Sequence, residues 1–175
     1  MWRKGNSPHF YPIGEWAELD DVLVCVHDVF ESFREADSQY SGRIFYLNVG
    51  FRNATTEPFK YRLGQWTLYD VDGYSYGSKM GREFYEPWGI RPIRENRILP
   101  YNIVRGWIAI PISANVKPHY LHFQEHYGGN ARVADFLVDR TRLPFRPFGD
   151  INERVEATTN KTQKNDDSWL HKLFK

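Results

Sequence analysis

The chain has 175 residues, enough for one domain with a hydrophobic core and too few for two. Its aromatic share of 17% (12 Phe, 11 Tyr, 6 Trp) tilts the composition toward strands, because aromatic side chains suit a pleated, half-buried surface. With 23 basic and 22 acidic residues the formal net charge is +1, so no global field gathers nucleic acid or an anionic membrane, and the single cysteine, Cys25, excludes an intramolecular disulfide framework and a cysteine-based zinc site.

In chain order, residues 1–13 read as an irregular N-terminal arm. The opening MWRKGNSPHFYP has no apolar stretch of signal-peptide type, and no later run approaches the ~20 apolar residues of a membrane span. As written, the chain is therefore expected to be soluble and without an export signal. Gly14 to Asp21 reads as a short strand or turn leading into Val22–Val29, the first clear strand. Val22, Val24 and Val26 fall on one face there, and Leu23, Cys25, His27 and Val29 on the other, with Cys25 as a buried strand cysteine. Polar Glu31–Gly42 reads as a connection. Arg43–Arg52 alternates cleanly, with Phe45, Leu47, Val49 and Phe51 on one side, and Asn53 ends it. Phe59–Val71, with a bulge near Gly64, and Tyr74–Ser78 bracket Asp72-Gly73, a pair suited to a tight hairpin.

Gly81–Asn96 shows no sustained period and reads as a long loop. Strands resume at Ile98–Ile112 and Pro118–Gln124, around a turn at Ser113–Lys117, with Ala134–Asp139 as one more. The expected fold is therefore an all-β, antiparallel β-sandwich of about seven strands over residues 14–140. Residues 141–167 are expected to be extended and flexible. Residues 168–175 place Trp169, Leu170, Leu173 and Phe174 on one side of a short amphipathic C-terminal helix. Two helical turns are unstable alone, so this helix needs the domain, a partner or a membrane surface to dock on.

Three stretches carry a resemblance: FYLNVGFRNATTEPF, WTLYDVDGYSYG and ILPYNIVRGWIAIPISANVKPHYLHF. In that order they are similar to the signature blocks of a prokaryotic family of unknown function with an immunoglobulin-like β-sandwich, related to the secreted immunoprotective extracellular protein. The matching features are Asn53 at a strand end, Asp72-Gly73 in a turn, and Gly106 followed by Trp107 and Ile108. The resemblance spans Gly14 to Gln124. Where the family has Pro-Gly, this chain has Tyr101-Asn102 after Pro100. The resemblance implies an immunoglobulin-like sandwich and an extracytoplasmic setting, although the family's usual leader is missing here. It supplies no catalytic residues. The telomere-repeat-binding label borne by some members does not transfer to a chain of charge +1.

Few residues suggest chemistry. His119, His122 and His126, with Glu125, imitate a zinc set, but on a strand His122 and His126 lie ~13 Å apart and His119 faces away. Asp70, Asp72 and Gly73 open like a calcium loop but lack its distal glutamate. No nucleophile elbow or phosphate loop is present. The remaining candidate is aromatic and basic: Tyr74, Tyr76, Lys79, Arg82, Phe84, Tyr85, Trp88, Arg91 and Arg94 read either as a recognition surface or as a second small core beneath a long loop. The expected function is a non-enzymatic binding or assembly module, without metal or cofactor. It would meet a protein partner, or a copy of itself, through Tyr85, Trp88, Arg91 and Arg94 and through Trp169 and Phe174. The alternatives are a metal-dependent hydrolase using His122, Glu125 and His126, and a peripheral membrane protein held by its C-terminal end.

Overall fold

A computed structural model describes residues 9–34, 42–78, 84–85, 89–94, 97–126 and 131–146. These residues form eleven strands: β1 (Phe10–Tyr11), β2 (Trp16–Glu18), β3 (Val22–Arg34), β4 (Gly42–Asn53), β5 (Phe59–Lys60), β6 (Trp66–Asp70), β7 (Ser75–Gly77), β8 (Arg97–Ile98), β9 (Ile103–Ile112), β10 (Pro118–Gln124) and β11 (Val133–Leu137). A five-stranded sheet has the order β1-β11-β10-β6-β7, a four-stranded sheet the order β2-β3-β4-β9, and β5 pairs with β8. Strand pairing is antiparallel except between β1 and β11. The result is an all-β sandwich.

The alternation read in β4 fixes the core. Phe45, Leu47, Val49 and Phe51 turn inward with Val22, Val24 and Val26 of β3 and Ile108 and Ile110 of β9, against Trp66, Leu68, Leu121, Phe123 and Phe136 of the other sheet. Each large side chain so buried contributes about 1.5–3 kcal/mol.

Three expectations are corrected. The ladder between β3 and β4 shifts register between Val26 and Asp28, so the phase flips at His27; Val29 joins the inner core and Phe30 turns outward. Glu31–Arg34 is strand rather than connection, because pairing with Gly42–Phe45 outweighs its polar composition. Phe59–Val71 is not one strand: a 3-10 turn, Leu63–Gln65, separates β5 from β6 and frees β5 to pair with β8. Within Gly14–Asp21, read as a short strand or turn, Trp16–Glu18 is strand β2, whereas β1 lies in the arm read as irregular; at two or three residues, β1, β2, β5 and β8 are too short for a period to show.

The outer face of the four-stranded sheet carries a second core of Phe30, Ile44, Tyr46, Phe84, Tyr85 and Ala109. Phe30 and Tyr46 stack at 4.6 Å, and the Tyr46 hydroxyl donates to Phe84 O at 2.6 Å. The Ala109 N–H donates to the Tyr85 hydroxyl, while the Trp107 N–H donates to Arg91 O and the Ile93 N–H to Trp107 O. The chain thus closes its own β9 edge over this stretch, where another strand would otherwise add.

Between β6 and β7, Asp70–Tyr74 forms the expected hairpin, with Gly73 at φ 86°. Burial pushes the Asp70 carboxyl up, but the Tyr74 N–H, the Tyr76 hydroxyl and the N–H groups of Asp72 and Gly73 outweigh it and hold the group below its ordinary value. Its folded-state value lies below that of the unfolded chain, so Asp70 stabilises the fold above the ordinary carboxylate range and loses that contribution as pH falls through the depressed value. Asp70→Asn is expected to melt below the wild type at pH 7, with the gap closing below about pH 4. A gap independent of pH would show that the carboxylate charge is not what holds this turn.

Candidate functional site

The residues expected to form one recognition surface divide. Tyr85 is buried, 2% exposed, inside the second core, because Phe30 and Tyr46 on the outer sheet face need cover; it is a packing residue and offers nothing to a partner. Phe84 is buried with it. Arg91 and Arg94 are exposed along the β9 side of the sandwich. Trp88, Trp169 and Phe174 lie outside the described residues.

A different exposed aromatic stands at the end of the sandwich where β9 begins. Leu99–Asn102 is a β-turn, closed by the Asn102 N–H donating to Leu99 O at 3.1 Å, with Pro100 at its second position. Tyr101, the third residue, has φ 61°. A turn with proline second and positive φ third is type II, whose third position favours glycine or asparagine. Placing a tyrosine there costs roughly 1–2 kcal/mol. Among the described residues nothing offsets that cost: Tyr101 is 67% exposed and makes no hydrogen bond or ring contact with any of them. Leu99 and Ile103 beside it are also exposed, as is Arg97.

Asn53 anchors this turn from beneath. Its side chain is fully buried; Nδ2 donates to Ile98 O at 3.0 Å and Glu57 O at 2.7 Å, and Oδ1 accepts from the Thr55 N–H and hydroxyl. Its backbone N–H donates to Asn102 O. The asparagine that ends β4 therefore holds both limbs of the Tyr101 turn.

The histidines of β10 are not brought together. His122 faces outward and pairs across the ladder with Asp135, Nδ1 to Oδ1 2.7 Å, so it takes no part in a joint site with His126. His119 lies against the Phe10 and Tyr120 rings. Glu125 instead continues the inward alternation of Leu121 and Phe123, and its side chain is 1% exposed. There it meets Asp21, in the turn before β3: the Asp21 N–H donates to Glu125 Oε1 at 2.8 Å, and His126 Nε2 lies 3.2 Å from Asp21 Oδ2. Burial pushes the Glu125 carboxyl up, opposed by the Asp21 N–H and His126 and reinforced by the charges of Asp21 and Asp20. Asp21 was not a candidate from the sequence, since it lies 104 residues from Glu125 and only the fold joins them.

Two further groupings exist. Cys25 Sγ lies 3.6 Å from His27 Nδ1, but the thiol is fully buried and desolvation raises its pKa, the opposite of an activated nucleophile. At the opposite end of the sandwich a cleft of about 650 Å³ is lined by Glu31, Arg43, Lys117 and Arg140 among others. Arg43 is committed there to Ala114 O, Val116 O and Glu31.

No family model and no curated protein matches the sequence. Solved structures do match in fold. The ycdA protein of Bacillus subtilis is 18% identical with a TM-score of 0.56 over 72% of this chain, which spans only 38% of that protein. The yjhA protein of Bacillus subtilis is 14% identical with a TM-score of 0.60, over 74% of this chain and 100% of that one. MPT63, a secreted protein from Mycobacterium tuberculosis, is 11% identical with a TM-score of 0.53, over 77% and 100%. The chain therefore shares its sandwich with bacterial proteins that are secreted or of unknown role.

Proposed function

We propose that this protein is a non-enzymatic binding module that recognises a protein partner through the Leu99–Ile103 turn with Arg97 next to it, and through the exposed Arg91 and Arg94 further along β9. The kinship with the immunoprotective extracellular protein, drawn from the three sequence blocks, belongs to the same proposal, as does an extracytoplasmic setting. One observation carries it: an exposed tyrosine in a glycine-favouring conformation, with no hydrogen bond or ring contact among the described residues. Strain of this kind persists where a side chain serves something outside the fold. Tyrosine and arginine are the types that dominate protein interfaces, and loops at the end of a rigid sandwich are where such modules present them.

The test separates stability from recognition. Tyr101→Gly is expected to keep stability within about 1 kcal/mol of the wild type, since relief of strain offsets the greater freedom of the unfolded glycine. The same change is expected to weaken capture of the partner from an extract of the source organism about 30-fold, as loss of an interface hot spot does. Arg97→Ala should weaken the same capture to a smaller degree. If wild type and Tyr101→Gly retain the same proteins in the same amounts, the proposal is wrong.

A further inference from the structure

We infer that Asp21, Glu125 and His126 form a binding site for one divalent transition-metal cation of the zinc class, which ties the two sheets together at the end of the sandwich. Asp21 enters from the four-stranded sheet at the start of β3, and Glu125 and His126 from the five-stranded sheet at the end of β10. One donor atom from each lies within 4.8 Å of the other two. Nε2 of His126 is 3.2 Å from Asp21 Oδ2 and 4.0 Å from Glu125 Oε2. Ligand atoms about 2.1 Å from a tetrahedral zinc stand about 3.4 Å from one another, so small side-chain rotations complete the triangle.

The second observation is the state of Glu125. Its carboxylate is almost wholly buried, and only Oε1 is served, by the Asp21 N–H. Oε2 accepts no hydrogen bond from a described residue and faces His126 Nε2. A carboxylate held almost wholly out of water with a single hydrogen-bond donor is weakly compensated, and a cation beside Oε2 is the partner that this position suits. The backbone beneath is prepared: Gln65 Nε2 donates to Glu125 O, and the Glu125 N–H donates to Arg132 O. Arg132 itself is occupied by Asp20, 3.0 Å away, which leaves the three donors free of a competing guanidinium.

Ligand type selects the cation. Three protein donors including an imidazole suit zinc and its neighbours, whereas calcium requires six to eight oxygens and magnesium a near-ideal octahedron of them. His126 and Asp21 are half exposed, so the remaining coordination position opens to solvent and the ion has a path in. This inference is independent of the partner-binding surface, and neither Tyr101 nor its arginines enter it.

Metal-free full-length protein titrated with zinc chloride tests it by calorimetry and thermal melting. One zinc per chain is expected, with Tm raised by about 5–10 °C at a hundredfold excess over Kd. His126→Ala and Asp21→Asn alter half-exposed side chains, and each should weaken binding by about tenfold or more while leaving the metal-free melt close to wild type. His122→Ala, in a residue engaged by Asp135, should bind zinc as the wild type does. Absence of a Tm shift at millimolar zinc overturns the inference. So does zinc binding that survives His126→Ala combined with Asp21→Asn, or an equal shift with calcium or magnesium.

Discussion

Gly106→Ala is expected to lower stability by about 3–5 kcal/mol, more than the addition of one methyl group suggests. A Cβ at this position would stand 2.7 Å from both Cα and N of Ile93 and 2.8 Å from its Cβ, where carbon atoms need about 3.5–4.0 Å. The obstacle is backbone, and it is clamped: the Ile93 N–H donates to Trp107 O and the Trp107 N–H to Arg91 O. The methyl group fits only if residues 91–93 leave the β9 edge, and Ile93, 2% exposed in the main core, then loses its place. Unseating such a side chain costs about 2–5 kcal/mol before the two hydrogen bonds are considered. Urea titration measures the loss directly. A variant within about 1 kcal/mol of the wild type would mean that the 91–93 segment is not clamped against β9.

Asn53→Ala is expected to cost about 3 kcal/mol for a different reason. The amide nitrogen serves two carbonyls, Ile98 O and Glu57 O, and removing it leaves both without that donor. Ile98 O is buried, and losing this donor costs about 1–3 kcal/mol; Glu57 O is exposed and keeps the Thr55 hydroxyl, so the rest of the cost comes from the Thr55 N–H, which loses Oδ1. Thr55→Ala is the control, because it removes the hydroxyl contacts to Asn53 Oδ1 and to the exposed Glu57 backbone but leaves the Thr55 N–H on Oδ1 and the Asn53 amide on Ile98 O, and it should cost about 1 kcal/mol. Equal losses from the two variants, in parallel chemical denaturation, would assign the effect to the local turn rather than to the link between β4 and the Leu99–Asn102 turn.

Both positions were marked in the sequence by the family resemblance, and the structure supplies the physical reason. Asn53, Asp72-Gly73 and Gly106 lie at points where the backbone itself makes a demand, a buried turn, a positive φ or a close approach, and few residue types meet it. The alternation of β4 was legible because its inward face packs along its whole length. What was not legible depends on partners remote in sequence. The phase flip at His27 is set by the opposing strand, and the end of β5 by its pairing of Phe59 with Ile98. Ile98–Ile112 reads as one strand, but the Leu99–Asn102 turn divides it into β8 and β9, and nothing local in Pro-Tyr-Asn announces a tyrosine in the glycine position of that turn. Tyr85 has the composition of a contact residue, and only the outward-facing Phe30 and Tyr46 explain why it is covered. The triad at Asp21 was out of reach because histidine spacing within β10 says nothing about the turn between β2 and β3.

The parallel pairing of β1 with β11 has a consequence for how the protein is made. Phe10 and Tyr11 align with Asp135 and Phe136, about 125 residues later. At about 5–20 residues per second, a ribosome takes roughly 6–25 s to deliver that partner. The β3–β4 hairpin is available long before, once Asn53 has emerged, so the four-stranded sheet can begin to assemble while β1 is still unpaired. Closure of the five-stranded sheet then waits until β11 has been made. The half-made chain, with Phe10 and Tyr11 still waiting for β11, is the form in greatest need of chaperone protection.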